Sequence, residues 1–374
     1  MIGDSGESDE YVKPAFDSVK SAFDSAKPVF IVSAGRCGSN LVSRLLGAHP
    51  DVTSVTALFA RRGAGRLLHQ LRSGPGFWME LTRPAPMFDA IVRDGMAPEE
   101  FAYPYGHGRF HPEQGVPLIC HMTLPSLSRG PAPSLEPDGW YAELAADIPG
   151  WEARASAEQY LRLLEWFRRR TGGRVVVEST PGSLKYLDML VRAYPDARFI
   201  YLHRDPVDTV LSMNRHILTR VDGIVRDALR LLRITSFADL SPACRPRMPL
   251  VRHHLKVVLP PYDIRAANDF GIPLDVFAQP WLGATQRART VLAELPPRQR
   301  AVMRYEDLVT DPPKVLRALA EFLGVPAPAD WLSFADRTVR RRRAGTGPYG
   351  LGDPLATLRA ACAIEMPEPT LDRC

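Results

Sequence analysis

The chain has no CxxC pair and no even set of cysteines. Its five, Cys37, Cys120, Cys244, Cys362 and Cys374, are scattered. That excludes a structural zinc site and a disulfide framework, and it predicts free thiols in a reducing compartment. No apolar run approaches the roughly 18 residues that a membrane span needs. The opening residues are polar and acidic, without the basic and apolar segments of a signal peptide. A soluble, cytoplasmic protein without a membrane partner is expected. Nothing repeats, so a solenoid is excluded. The apolar strand at Val29 is not followed by the Gly-x-Gly-x-x-Gly turn of dinucleotide folds. A large charge of one sign is lacking too: the net charge is +5 and the pI is near 9.0. This balance mildly favours an anionic ligand. The basic residues are not concentrated with aromatics, so no nucleic-acid partner is expected.

What is present is enough apolar material for a large core, 45% of 374 residues. That length fits one α/β domain elaborated by insertions. The most informative stretch is Pro28-Val-Phe-Ile-Val-Ser-Ala-Gly-Arg-Cys-Gly-Ser-Asn-Leu-Val-Ser-Arg-Leu-Leu46. A short apolar run, Val29 to Val32, precedes a glycine-bearing turn, and an amphipathic helix opens at Ser39. Strand, loop and helix N-terminus in this order bind a phosphate. Gly35 and Gly38 let backbone N–H groups turn toward an anion, and Arg36 adds a positive charge. No Lys-Ser/Thr pair follows the second glycine. The usual magnesium holder of NTP hydrolysis is therefore lacking, and no metal is expected.

A second stretch, Ala197-Arg-Phe-Ile-Tyr-Leu-His-Arg-Asp-Pro-Val-Asp-Thr-Val-Leu-Ser-Met213, reads as a buried strand entering a helix. Asp205 is placed to cap that helix and Pro206 to begin it. Arg204 at the strand end and Ser212 in the helix can hold a second anion between guanidinium and hydroxyl. The Gly-Arg-x-Gly-Ser loop followed by Arg-Asp-Pro-x-Asp-x-x-x-Ser resembles the two nucleotide signatures of the sulfotransferase family that uses 3′-phosphoadenosine 5′-phosphosulfate (PAPS). Val175-Val-Val-Glu-Ser-Thr-Pro-Gly-Ser-Leu184 and Arg304-Tyr-Glu-Asp-Leu308 with Asp311-Pro-Pro agree with the same resemblance in order and spacing. It covers the core from about Pro28 to about Gly324.

The organisation expected is an N-terminal leader over 1–27 with a short helix around Tyr11 to Ala26, a sulfotransferase-like domain over 28–345, and a tail over 346–374. Cap insertions are expected at about 59–150 and 215–280, where Gly, Pro and scattered aromatics replace periodicity. Arg215 to Gln279 reads as irregular. Ser156-Ala-Glu-Gln159 reads as a capping box opening a helix. Helices are also expected around Leu187 to Tyr194, Trp281 to Leu295 and Lys314 to Leu323. Strands are expected at Val175 to Val177, Phe199 to Leu202 and Ala301 to Tyr305. Strands alternating with helices predict an α/β, three-layer, P-loop-like fold with a central, mainly parallel sheet and an irregular, mostly helical cap.

The resemblance implies that Gly35, Arg36, Cys37, Gly38, Ser39 and Asn40 hold the 5′-phosphosulfate end of PAPS, and Arg204 and Ser212 its 3′-phosphate. Arg36 would also neutralise the bridging oxygen. Arg340 to Arg343 with Ala344-Gly345-Thr346-Gly347 loosely resembles the loop closing over the 3′-phosphate, so Arg343 and Gly345 join that set. A solvated basic tail and a nucleic-acid patch are the alternatives there. Glu178, at the end of a strand, is the candidate base for the acceptor's proton, with a structural ion pair as the alternative.

Two departures matter. Asn40 stands where many relatives have Thr. An acidic residue near Ala57 serves as base in some relatives, yet Val52 to Met79 contains no Asp or Glu. His107, His111 and His121 are further candidates for a base or an acceptor contact, with a satisfied loop hydrogen bond as the alternative, and His216 is a candidate to border the acceptor pocket. Cys37 reads as a small loop residue, and Glu306 and Asp307 as structural. Trp78, Trp140, Tyr103 and Tyr105 are candidates to line an acceptor site, or packing residues. The expected activity is sulfuryl transfer from PAPS to a hydroxyl or amine of a small molecule, with secondary metabolites a candidate acceptor class. Non-sulfuryl chemistry on an anionic or carrier-linked substrate, or a silent nucleotide-binding scaffold, are the alternatives.

Overall fold

The computed structural model describes residues 27–59, 68–128 and 136–339. Five strands form the central sheet: β1 (Val29–Val32), β2 (Val52–Thr56), β3 (Val175–Thr180), β4 (Arg198–His203) and β5 (Arg300–Arg304). Their spatial order is β2-β3-β1-β4-β5, and every neighbouring pair is parallel. This bears out the α/β, P-loop-like expectation. A parallel sheet is covered on both faces, so its strands are short and apolar throughout. The β1 sequence Val-Phe-Ile-Val is buried at all four positions.

Alternation along the strands divides the core into layers. Phe30, Val32, Val176, Phe199 and Tyr201 face one side. They pack with Leu163, Leu164 and Phe167 of α2 (Ser156–Thr171) and with Leu187 and Leu190 of α3 (Leu187–Ala193). Val29, Ile31, Val177, Ile200 and Leu202 face the other. There they meet α1 (Ser39–Gly47), α7 (Pro312–Leu323) and α8 (Ala329–Thr338). A third cluster builds the cap side from Ala57, Phe101, Met122, Val207, Val210, Val221, Ile224 and Phe277. It joins α4 (Pro206–Arg215), α5 (Ile217–Leu232) and α6 (Asp275–Ala293) to the cap.

Several local expectations change. Arg215 to Gln279 is largely helical rather than irregular. Val221, Ile224, Val225, Ala228 and Leu232 line the buried face of α5, a helical spacing that carries it across the third cluster. The Ser156 capping box does not form. Ala155 is the N-cap without a side-chain bond, and Ser156 Oγ is buried without a partner among the described residues. Gln159 instead donates to the carbonyls of Arg72 and Glu152, both at 2.8 Å. This ties α2 to a two-stranded ribbon, Leu71–Arg72 with Arg154–Ala155. The Asp205 cap does form, accepting from the Asp208 amide at 2.9 Å, with Pro206 opening α4. Cys37, Cys120 and Cys244 are free and buried. The leader with its short helix, and the tail from 340 onward with Arg343, Gly345, Cys362 and Cys374, lie outside the described residues.

The chain crosses from one side of β1 to the other between β3 and β4. The C-terminal ends of β1 and β4 therefore flank the switch point at which open α/β sheets bind ligands. Arg36 and Arg204 both leave the sheet there.

Candidate functional site

The loop after β1 turns on three residues with left-handed backbone: Gly35 (φ 91°), Arg36 (φ 58°) and Gly38 (φ 94°). Successive turns of this kind gather backbone N–H groups into an anion-binding concavity. Gly38 is the N-cap of α1. Among the described residues no side chain caps that helix, and no acid lies in its first turn, so its leading N–H groups and positive dipole end suit an anionic ligand. Gly38 is also fixed sterically. A Cβ there would lie 2.3 Å from the Tyr305 ring, which follows β5. Ser33 Oγ accepts from the Gly35 amide, and the Leu184 amide donates to the Ser33 carbonyl at 3.2 Å. The loop after β3 thereby supports the loop after β1.

The two motifs meet. Arg36 Nε donates to Ser212 Oγ at 3.4 Å, and Arg204 Nη1 reaches the Arg36 carbonyl at 3.5 Å. Burial, with Arg204 nearby, pushes the Arg36 guanidinium down from its usual range, although Glu100 opposes the shift. Arg204 also contacts Asp208 at 3.4 Å and lies over the Tyr305 ring at 4.8 Å. Its Nε is buried and has no partner among the described residues. A buried cationic donor left unpaired beside an uncapped helix N-terminus fits an anion.

The cap sends one carboxylate to this cluster. Glu100 Oε1 lies 3.4 Å from Arg36 Nη1 and 2.8 Å from His216 Nε2. The His216 contact is close, but it is not aligned as a hydrogen bond, and both ring nitrogens are buried without such a bond among the described residues. His216 is the N-cap of α5 and stands four residues beyond Ser212. Burial pushes the Glu100 carboxyl up, but the His216 ring and the Arg36 guanidinium outweigh it, and the net shift is downward. Sequence reasoning named His216 only as a possible border of the pocket and missed Glu100.

Glu178 is placed differently from its expected strand end. Strand β3 continues to Thr180, so Glu178 falls inside the sheet and is 1% exposed. Its Oε1 accepts from the Leu58 amide at 3.2 Å and from Thr180 Oγ1. Thr180 Oγ1 in turn accepts from the Phe59 amide at 3.0 Å. The two side chains hold the turn after β2, where Ala57 adopts φ 59°. Burial pushes the Glu178 carboxyl up to about 8, so it is protonated at neutral pH.

The remaining loop residues contribute less side-chain chemistry. Cys37 is 1% exposed, its thiol contacts the Gly35 carbonyl at 3.3 Å, and burial pushes that thiol up to about 12. Ser39 is buried and Asn40 half-buried at the start of α1. Glu306 accepts from the Asp205 amide at 2.8 Å and from Arg304 at 3.2 Å, holding the loop after β4. His121 is fully enclosed, with Tyr105 Oη at 2.9 Å, while His107 is exposed. Trp140 is 1% and Tyr103 3% exposed in the core. Among the described residues no group of His, Cys, Asp and Glu is arranged to hold a metal ion, and no helix is long and apolar enough to cross a membrane.

A family model described as "Sulfotransferase family" matches residues 136–236 and 250–329. The chain is similar to the sulfotransferase family. The match spans β3, β4 and β5 with Arg204, Ser212 and His216, and it supports a sulfotransferase activity. The loop after β1 and Glu100 lie outside it. No curated protein sequence matches the chain. Among solved structures, the sulfotransferase domain from the curacin biosynthetic pathway is 16% identical with a TM-score of 0.41, covering 91% of this chain and 99% of that one. The sulfotransferase domain from the Synechococcus PCC 7002 olefin synthase is 18% identical with a TM-score of 0.41, covering 92% and 98%. Sulfotransferase STF9 from Mycobacterium avium is 16% identical with a TM-score of 0.43, covering 94% and 79%.

Proposed function

We propose that the protein is a cytoplasmic, PAPS-dependent sulfotransferase that moves a sulfuryl group to a hydroxyl or amine of a small molecule. The observation that carries this reading is the meeting of Arg36, Arg204 and Ser212 beside the uncapped start of α1, with Arg204 Nε unpaired. The residues fit a donor with two anionic ends. The backbone N–H groups from Arg36 to Leu41 would hold the 5′-phosphate, with Ser39 and Asn40 as short polar contacts. Arg204 and Ser212 would hold the 3′-phosphate, the group that separates this donor from ATP. When bound, PAPS supplies an activated sulfuryl group on a phosphate leaving group. Arg36, between the two ends, would stabilise charge on the bridging oxygen by preorganised electrostatics.

Glu178 enters this reading as a positioning residue. Its enclosed, protonated carboxyl holds the Ala57 turn at the edge of the site. The test is transfer of radiolabel from [35S]PAPS to a panel of phenols, alcohols and amines. Labelled product with stoichiometric 3′-phosphoadenosine 5′-phosphate supports the reading. Binding of that bisphosphate without any transfer would favour repurposed chemistry or a silent scaffold.

A further inference from the structure

The strand end near Ala57 carries no acid, Glu178 is enclosed, Asp208 holds Arg204 and Glu306 holds the Asp205 amide. Glu100 is the carboxylate that contacts Arg36 directly. It comes from the cap, 64 residues along the chain. Its neighbour Phe101 packs in the same cluster as Ala57. The fold thus brings a cap carboxylate to the anion loop.

We propose that Glu100 is a donor-gated general base: an ion-pair partner of Arg36 while the donor site is empty, and the acceptor's proton sink once a donor anion takes Arg36, with His216 as its positioning residue. This rests on the sulfotransferase reading above. Arg36 cannot give its full charge to a phosphosulfate while it faces Glu100, because both anions compete for one guanidinium. Donor binding therefore loosens the Arg36–Glu100 pair and leaves Glu100 beside His216 Nε2, 2.8 Å away.

In the step itself the acceptor oxygen or nitrogen forms a bond to sulfur. The bond between sulfur and the bridging phosphate oxygen breaks, and its electron pair stays on that phosphate. The acceptor's proton passes to Glu100, which later returns it to water. Nothing else is oxidised or reduced. The groups facing Glu100 are His216 from the start of α5 and Arg36 from the anion loop; Arg204 stands behind Arg36, and Glu99 is the adjacent acid in the chain. The His216 ring and the Arg36 guanidinium hold the Glu100 carboxyl below its ordinary range, so it is ionised and able to accept a proton at neutral pH.

The experiment compares wild type, E100Q, E100D and H216Q by two readouts. One is calorimetric binding of 3′-phosphoadenosine 5′-phosphate. The other is release of that bisphosphate from PAPS, with 4-nitrophenol or water as acceptor. The proposal expects E100Q to bind the bisphosphate about threefold more tightly, as loss of a part-buried ion pair frees Arg36. It expects the same variant to lose about a hundredfold in kcat. E100D should keep a measurable part of the rate. In H216Q the acid limb of the pH–rate profile should move upward, because a group that lowers the Glu100 pKa is gone.

E100Q that releases the bisphosphate within about twofold of wild type, or that binds it more weakly, overturns the proposal and leaves Glu100 as a cap anchor. If E100Q does not fold, E100D with wild-type bisphosphate affinity and wild-type kcat overturns it equally. Wild type that neither binds the bisphosphate nor consumes PAPS overturns the parent reading, and this proposal with it. That result is seen before any variant is made.

Discussion

Arg36 Nε and Ser212 Oγ stand 3.4 Å apart across 176 residues of chain. This contact joins the loop after β1 to the helix after β4, the two segments that flank the topological switch point. A hydroxyl so placed serves the guanidinium when the site is empty and an anion when it is filled. Ser212→Ala should weaken binding of 3′-phosphoadenosine 5′-phosphate by about tenfold, the loss of one hydrogen bond to a charged group. Binding of adenosine 5′-monophosphate should hardly change. Calorimetry with both nucleotides checks this, and equal losses for both would place Ser212 at the wrong phosphate.

Gly38 is held by two constraints at once, a φ of 94° and the Tyr305 ring where a Cβ would stand. Gly38→Ala should destabilise the fold by roughly 1–3 kcal/mol and also reduce bisphosphate affinity, since the loop must shift off the ring. Thermal melting and titration of the same sample test the pair of effects. An unchanged melting point would show that the ring moves aside at little cost.

Glu178 offers a cleaner separation between support and catalysis. Glu178→Ala leaves the Leu58 amide buried without its acceptor and should cost about 1–3 kcal/mol. Glu178→Gln keeps the acceptor and mimics the protonated carboxyl, so the fold and turnover should stay close to wild type. Retained bisphosphate binding with turnover abolished in Glu178→Gln would instead make Glu178 the base.

The pH dependence of stability follows from three buried groups. Burial lowers His121 from its ordinary 6.5 to about 4. Burial first, then Arg304 and Arg289, lowers His203 to about 4 as well. Between about pH 4 and 6.5 the unfolded chain binds these protons and the folded chain does not, so both groups make stability rise with pH. Glu178 has the opposite sign. Its folded value is raised to about 8 from an ordinary 4.5, so its contribution is full below pH 4.5 and is lost as pH rises through 8. Two histidines outweigh one carboxyl below pH 6.5, and above it the carboxyl acts alone. Melting temperature should therefore peak near pH 6.5 and fall toward pH 8, and Glu178→Gln should flatten the fall. A fall of the same slope in that variant would assign it to other groups.

Much of this was legible in sequence, for local reasons. The runs Val29 to Val32 and Phe199 to Leu202 are short, apolar and closed by turn chemistry, so β1, β4 and their loops are readable. Asp205 and Pro206 mark the start of α4 by cap and ring geometry. The apolar pattern ends β3 at Val177, three residues short, since Glu178, Ser179 and Thr180 are polar yet belong to the ladder. That difference moved Glu178 from the rim into the sheet. The helix α5 follows a break at His216, whose ψ of 124° is extended. A reading that stopped at Arg215 therefore missed the apolar face beyond it. Glu100 could not be read at all. It sits in an aperiodic Pro98-Glu99-Glu100 turn, and its meaning comes only from tertiary contact with Arg36 and His216.

The donor site is the central claim, and one titration tests it most directly: 3′-phosphoadenosine 5′-phosphate against wild type and Arg204→Ala, with adenosine 5′-monophosphate in parallel. The account predicts micromolar binding of the bisphosphate to wild type, and a loss of about a hundredfold both without the 3′-phosphate and without the Arg204 guanidinium. Equal affinity for the two nucleotides, or bisphosphate binding untouched by Arg204→Ala, would contradict it.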